Sequence, residues 1–156
     1  MCKVAAQGCN GLDLMAHELA YDERQQRTFI DLNKVYTEDT LSLDHRQVVV
    51  DFMRDVWSDL KAHVSIEALR AALIYFDRYM SSRSKQEITE AEVELMSLTC
   101  LVVGIKYMET RVVSFEHMVR VSGSRYTLDD FVAAELLLLS AIDWNLHICN
   151  SHDTGV

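Results

Sequence analysis

Proline is absent from this sequence, and only five of its 156 residues are glycine. A β-sandwich or barrel turns often and draws on both residues, so their scarcity favours long helices. Long apolar runs are also missing. The longest, Leu95 to Ile105, falls well short of the roughly 20 residues that span a bilayer, and Lys106 ends it. Basic clusters are missing too: the net charge is −9 and the lysines and arginines are scattered, so neither a nucleic acid nor an anionic membrane is an expected partner. Cys2, Cys9, Cys100 and Cys149 contain no CxxC pair and do not reach disulfide-scaffold density. No apolar stretch of signal-peptide type follows Lys3, so a reducing intracellular compartment is expected. His147, Cys149 and His152 fall close together, but no fourth ligand accompanies them, and neither a metal nor a cofactor is expected. No glycine-rich phosphate loop and no nucleophile–histidine arrangement with supporting context is present, which points away from an enzyme.

What the sequence does have is one kind of helix start, used five times. A hydrophobic residue precedes Ser, Thr or Asp, and another hydrophobic residue follows four positions later. The starts are Leu43-Asp44 with Val48, Val64-Ser65 with Leu69, Ile88-Thr89 with Val93, Val113-Ser114 with Met118, and Tyr126-Thr127 with Phe131. This is the hydrophobic staple around an N-cap, and Thr89 with Glu92 adds a capping box. Helices are expected over 44–61, 65–81, 89–108, 114–122 and 127–143. The first carries Val48, Val49, Phe52, Met53, Val56, Trp57 and Leu60 on one stripe. The third is apolar almost all round, so its neighbours must surround it. A less regular amphipathic segment, about Leu12 to Val35, reads as a helical arm ahead of them. The chain divides into an arm at 1–43, a helical unit at 44–146 and a short tail at 147–156. One domain of this length buries about 68–70% of its unfolded surface.

Four charged residues stand among apolar neighbours: Arg46, Asp77, Lys106 and Glu135. At helical spacing Asp77 shares a face with Ile74 and Met80, Lys106 with Val102 and Val103, and Glu135 with Phe131, Leu138 and Leu139. An unpaired charge in such surroundings costs several kcal/mol, so each needs a partner inside the chain or on another protein.

The order of short motifs around these charges strongly resembles the cyclin box. The motifs are Arg46-Gln47-Val48-Val49-Val50-Asp51-Phe52, Tyr75-Phe76-Asp77-Arg78-Tyr79-Met80-Ser81-Ser82, Gly104-Ile105-Lys106-Tyr107-Met108-Glu109, Tyr126-Thr127, Glu135-Leu136-Leu137-Leu138 and Trp144-Asn145-Leu146. The resemblance implies an all-α, five-helix cyclin-box bundle around a central apolar helix, preceded by the N-terminal helical arm. It implies a regulatory subunit that binds and allosterically activates a cyclin-dependent serine/threonine protein kinase, in the nucleus and/or cytoplasm, controlling cell-cycle progression. Arg46 and Asp77 match an internal ion pair between the first two helices. Lys106 and Glu135 match a couple that faces the kinase. Lysine offers only donors and glutamate only acceptors, so together they satisfy backbone groups at the end of a partner element.

The sequence departs from the pattern where many cyclins dock substrates. His45, Val48 and Phe52 replace the family's Met, Ile and Trp. A shallower groove for kinase substrates or inhibitors is expected from Val48, Phe52 and Val93, with Asp55 and Glu94 at its rim. Cyclins typically carry a second helical repeat, whereas this chain ends at Val156. The readings left open are a single-box cyclin-fold scaffold or transcription-associated factor, and a truncated cyclin that binds kinase without full activation.

Overall fold

The computed structural model describes residues 30–60, 64–83, 87–110 and 113–148. Among them are six helices and no strand: α1 Leu32–Val35, α2 Leu43–Leu60, α3 Ile66–Ser82, α4 Glu90–Met108, α5 Phe115–Val121 and α6 Leu128–Ala141. The five longer ones match the sequence-derived spans to within two residues at either end. Asp31–Leu146 forms one compact unit, which therefore includes residues 31–43 that the sequence assigns to the arm. Met1–Ile30 and His147–Val156 make up a second unit that falls almost wholly outside the described residues. Most of the amphipathic Leu12–Val35 segment, together with Cys149 and His152, lies in that undescribed part. Only its last turn, α1, is described, and that turn ends at Tyr36.

The caps form where a short polar side chain precedes an apolar run. Ser65, Thr89, Ser114 and Thr127 each accept from the backbone N–H three residues on, satisfying a donor that the helix itself leaves open. Two caps differ from expectation. The start of α2 is capped by Ser42, whose Oγ accepts from His45 N at 3.2 Å, and Asp44 sits inside the first turn. The reciprocal capping box belongs to α6, where Asp130 Oδ2 accepts from Thr127 N at 2.8 Å. At Thr89 only half of a box forms, because Glu92 turns to Arg83 instead.

Helix α4 is the axis of the fold. Every residue from Met96 to Ile105 is buried, and α3, α6 and α2 pack around it. Gly104 makes the closest approach possible. A Cβ at that position would stand 2.7 Å from the Ala68 carbonyl oxygen of α3 and 3.2 Å from Ala72 N. Helix α2 buries Val49, Val50, Met53 and Val56, so its core stripe is rotated from the one the sequence suggests. Val48 is 64% exposed. Trp57, Leu60, Met108 and Val113 close a satellite cluster over Val64, Ala68 and Ile105.

Candidate functional site

The four stranded charges separate into two pairs. Arg46 of α2 donates Nε–H to Asp77 Oδ1 at 2.9 Å and Nη2–H to Oδ2 at 2.7 Å, a bidentate fork across to α3. Their side chains are 21% and 12% exposed, the lower accessibility of the two pairs. Tyr36, just past α1, donates its hydroxyl to the same Asp77 Oδ1, and its ring lies 5.5 Å from the Arg46 guanidinium carbon. Burial first, and the neighbouring Asp77 carboxylate second, push the Tyr36 hydroxyl well above its ordinary pKa. The hydrogen bonds to Asp77 hold Arg46 firmly protonated. The sequence reading missed Tyr36. It lies outside the regular helices, in the segment assigned to the arm, and carries no periodic signal.

The other aromatic and basic residues of the α3 motif also have partners. Tyr75 donates to Leu146 O at 2.6 Å and Arg78 Nη1 to Asn145 O at 3.0 Å, which ties the segment after α6 to α3. Tyr79 accepts from Arg83 Nη1 at 3.2 Å, and the same nitrogen reaches Glu92 at 2.8 Å. Glu109, at the end of α4, accepts from Ser65 N at 2.7 Å and so caps the start of α3, while Trp57 Nε1 donates to Ser65 O at 3.0 Å. These contacts assign Tyr75, Arg78, Tyr79 and Glu109 to holding elements together.

Lys106 and Glu135 make the second pair, with Nζ 2.7 Å from Oε1. Lys106 is in the last turn of α4, and Glu135 is midway along α6. Their side chains are 39% and 23% exposed, so the couple is at the surface. The Lys106 ammonium also stands 4.7 Å from the centroid of the Phe115 ring, which stacks on Phe131 at 5.5 Å. An aromatic face therefore supports the cation from the α5 side. Beside Glu135, α6 exposes Leu128, Val132 and Leu136, spaced four apart on one stripe, and α4 exposes Tyr107.

A third feature lies at the opposite end of α4. An open cleft of about 950 Å³ runs between the first turns of α2, the 38–42 segment and the start of α4. Val48, Phe52, Val93 and Glu94 line it. Asp55, expected at the rim, does not: it is exposed on α2 and outside the lining. Asp55 shares a face with Val48 but sits two turns further on, about 10.5 Å along the helix, and beyond Phe52, the last α2 residue in the lining. In its place the rim carries Glu38, Asp39, Glu87 and Glu90. Glu94 already has a partner in Arg125, and Tyr126 donates to its other oxygen at 3.1 Å. Burial and that hydrogen bond push the Tyr126 hydroxyl pKa upward.

Among the described residues, no group of three His, Cys, Asp or Glu side chains is placed to hold a metal, and no helix is long and apolar enough to cross a membrane.

Comparison with known proteins places this geometry in a family. The model of the cyclin N-terminal domain matches residues 17–147. The sequence is 30% identical over 145 residues to cyclin-D3-3 of Arabidopsis thaliana, covering 87% of this chain and 39% of that protein. It is 26% identical over 108 residues to human G1/S-specific cyclin-D1, covering 69% of this chain and 35% of that protein. The fold matches the X-ray structure of a viral cyclin from herpesvirus saimiri with a TM-score of 0.68 at 17% identity, over 83% of this chain and 54% of the viral one. The chain belongs to the cyclin family, a family of regulators of cyclin-dependent kinases. It spans well under two thirds of the length of these relatives.

Proposed function

We propose that this chain binds a cyclin-dependent protein kinase through the Lys106–Glu135 couple and the apolar stripe beside it, and activates that kinase without catalysis of its own. The observation that carries the reading is the couple's placement: a donor-only and an acceptor-only side chain, joined at 2.7 Å, at the edge of exposed Leu128, Val132 and Leu136. An ion pair this accessible contributes about 0–1 kcal/mol to folding. Opening it toward a partner's backbone groups therefore costs little, while burial of the Leu128–Val132–Leu136 stripe supplies apolar contact. A partner helix held in one arrangement by these contacts has its population shifted toward that arrangement, which is the thermodynamic content of activation. The expected setting is the nucleus and/or cytoplasm, in control of cell-cycle progression.

Binding measured against a panel of such kinases, with wild type beside Lys106→Ala and Glu135→Ala, tests the reading. Wild type binds at least one kinase, and each variant loses most of that affinity. If wild type binds none, or both variants bind as well as wild type, the interface is elsewhere. A kinase assay on the bound complex separates activation from binding without activation.

The cleft is a second surface under the same reading. Its apolar floor and acidic rim suit extended segments of kinase substrates or inhibitors that combine an apolar anchor with a basic residue.

A further inference from the structure

The cleft contains its own cation. Of the described charged residues lining it, five are carboxylates, namely Glu38, Asp39, Glu87, Glu90 and Glu94, and one is an arginine, Arg125. Arg125 comes from the turn after α5, remote in sequence from either wall. That turn is tightly specified. Gly123 and Ser124 both take left-handed backbone angles, with φ of 66° and 61°, and Ser124 N donates to Val119 O at 2.9 Å. Arg125 Nε then donates to Ser122 O at 2.8 Å, which holds the guanidinium by one edge and leaves Nη2 directed at Glu94 Oε1. Tyr126 completes the arrangement, its single hydroxyl proton shared between Glu94 Oε2 and Ala91 O, each at 3.1 Å.

Both oxygens of Glu94 are thus engaged in the free chain, one by an arginine and one by a phenol. Glu94 is the less exposed member of its ion pair, with a side chain 21% exposed against 63% for Arg125. The cation is the member with freedom to leave.

We propose that Arg125 is a built-in competitor for the basic residue of a docked peptide: it occupies Glu94 until an incoming arginine or lysine displaces it. The proposal rests on the peptide-docking reading of the cleft and adds a specificity rule to it. A peptide whose only contribution is apolar leaves the Arg125–Glu94 contact intact and gains nothing at that position. A basic peptide exchanges one guanidinium–carboxylate contact for another, so its net gain at Glu94 is small while Arg125 is in place and larger when Arg125 is absent. Among the described residues of the lining, the other rim carboxylates have no such internal partner, and they attract the basic peptide regardless.

Fluorescence-polarisation titrations at low salt test this with two octapeptides that differ only in one residue, arginine in the first and glutamine in the second, each with two leucines. Arg125→Ala tightens the arginine peptide by about two- to fivefold, the range that loss of an exposed ion-pair competitor allows, and leaves the glutamine peptide unchanged. In a Glu94→Gln background the Arg125→Ala change no longer affects the arginine peptide. The competitor role is overturned if Arg125→Ala leaves arginine-peptide affinity the same or lowers it, or if both peptides gain equally, which is the result expected of a merely widened cleft. If neither peptide binds any variant, the docking reading of the cleft fails, and the competitor role fails with it.

Discussion

Tyr36 and Asp77, 41 positions apart in sequence, share a buried hydrogen bond on the same carboxylate oxygen that receives Arg46 Nε. The short segment before α2 is thereby fastened to α3 through a group already committed to an ion pair. Removing the carboxylate leaves a guanidinium and a phenol without their acceptor. Asp77→Ala is expected to cost about 3–5 kcal/mol, the penalty for breaking a largely buried pair from one side. Tyr36→Phe removes one hydrogen bond and costs about 1–2 kcal/mol. Urea denaturation midpoints at neutral pH rank the two.

The same hydroxyl gives the protein an alkaline limit. Tyr36 has its pKa raised on folding by burial and by Asp77, so the folded state holds this proton more tightly than the unfolded chain. Its contribution is fully present below the unfolded value of about 10 and is lost as pH rises above it. Stability of the wild type is expected to fall between about pH 10 and pH 12, and Tyr36→Phe to show a shallower fall. Thermal melts across that window measure the difference in slope.

Gly104 presents two opposed effects of one methyl group. Alanine favours a helix interior by about 0.5–1 kcal/mol. Against that, its Cβ would meet the Ala68 carbonyl oxygen at 2.7 Å. The obstacle is backbone, which moves only if α3 and α4 separate, so the clash dominates and Gly104→Ala is destabilising by about 1–3 kcal/mol. Trimming the neighbouring side chain in an Ala68→Gly background does not restore the midpoint, because the carbonyl stays in place.

Cys100 is fully buried on α4, and burial pushes its thiol pKa well above the ordinary value. A thiol that is both inaccessible and protonated is a poor nucleophile. Iodoacetamide at pH 8 is expected to modify Cys100 only at the rate of unfolding, and peptide mapping with and without urea shows the contrast.

Alanine at Lys106 or Glu135 is expected to move the unfolding midpoint by less than about 1 kcal/mol, since the pair is partly solvated. A kinase-binding defect in either variant, with circular dichroism melts unchanged, then reports on the surface and not on folding.

Much of this arrangement is legible from sequence because the helix starts are local. A capping serine or threonine and a staple four residues later are determined by nearby residues, and the five long helices follow from them. The central place of α4 is also legible, since an apolar circumference has no alternative but enclosure. What escapes is non-local and aperiodic. Tyr36 belongs to no amphipathic pattern, and its partner is set by the tertiary path of the segment carrying it. Arg125 follows a left-handed turn, and its guanidinium reaches a carboxylate 31 residues earlier in the chain. Asp55 is a different case: helical spacing puts it on the same side of α2 as Val48 and Phe52, but the lining of the cleft ends at Phe52 along that helix.

Helix α4 also acts as a ruler. Glu94 stands near its first turn in the cleft, and Lys106 stands in its last turn beside Glu135. Twelve residues of helix separate them, about 18 Å along the axis, and the span between is locked by burial on every side. The two surfaces therefore belong to one rigid strut. A ligand at one end and a protein at the other would be spaced by the backbone of a single helix, and a core substitution that slides α4 along its axis would displace both contacts by the same distance.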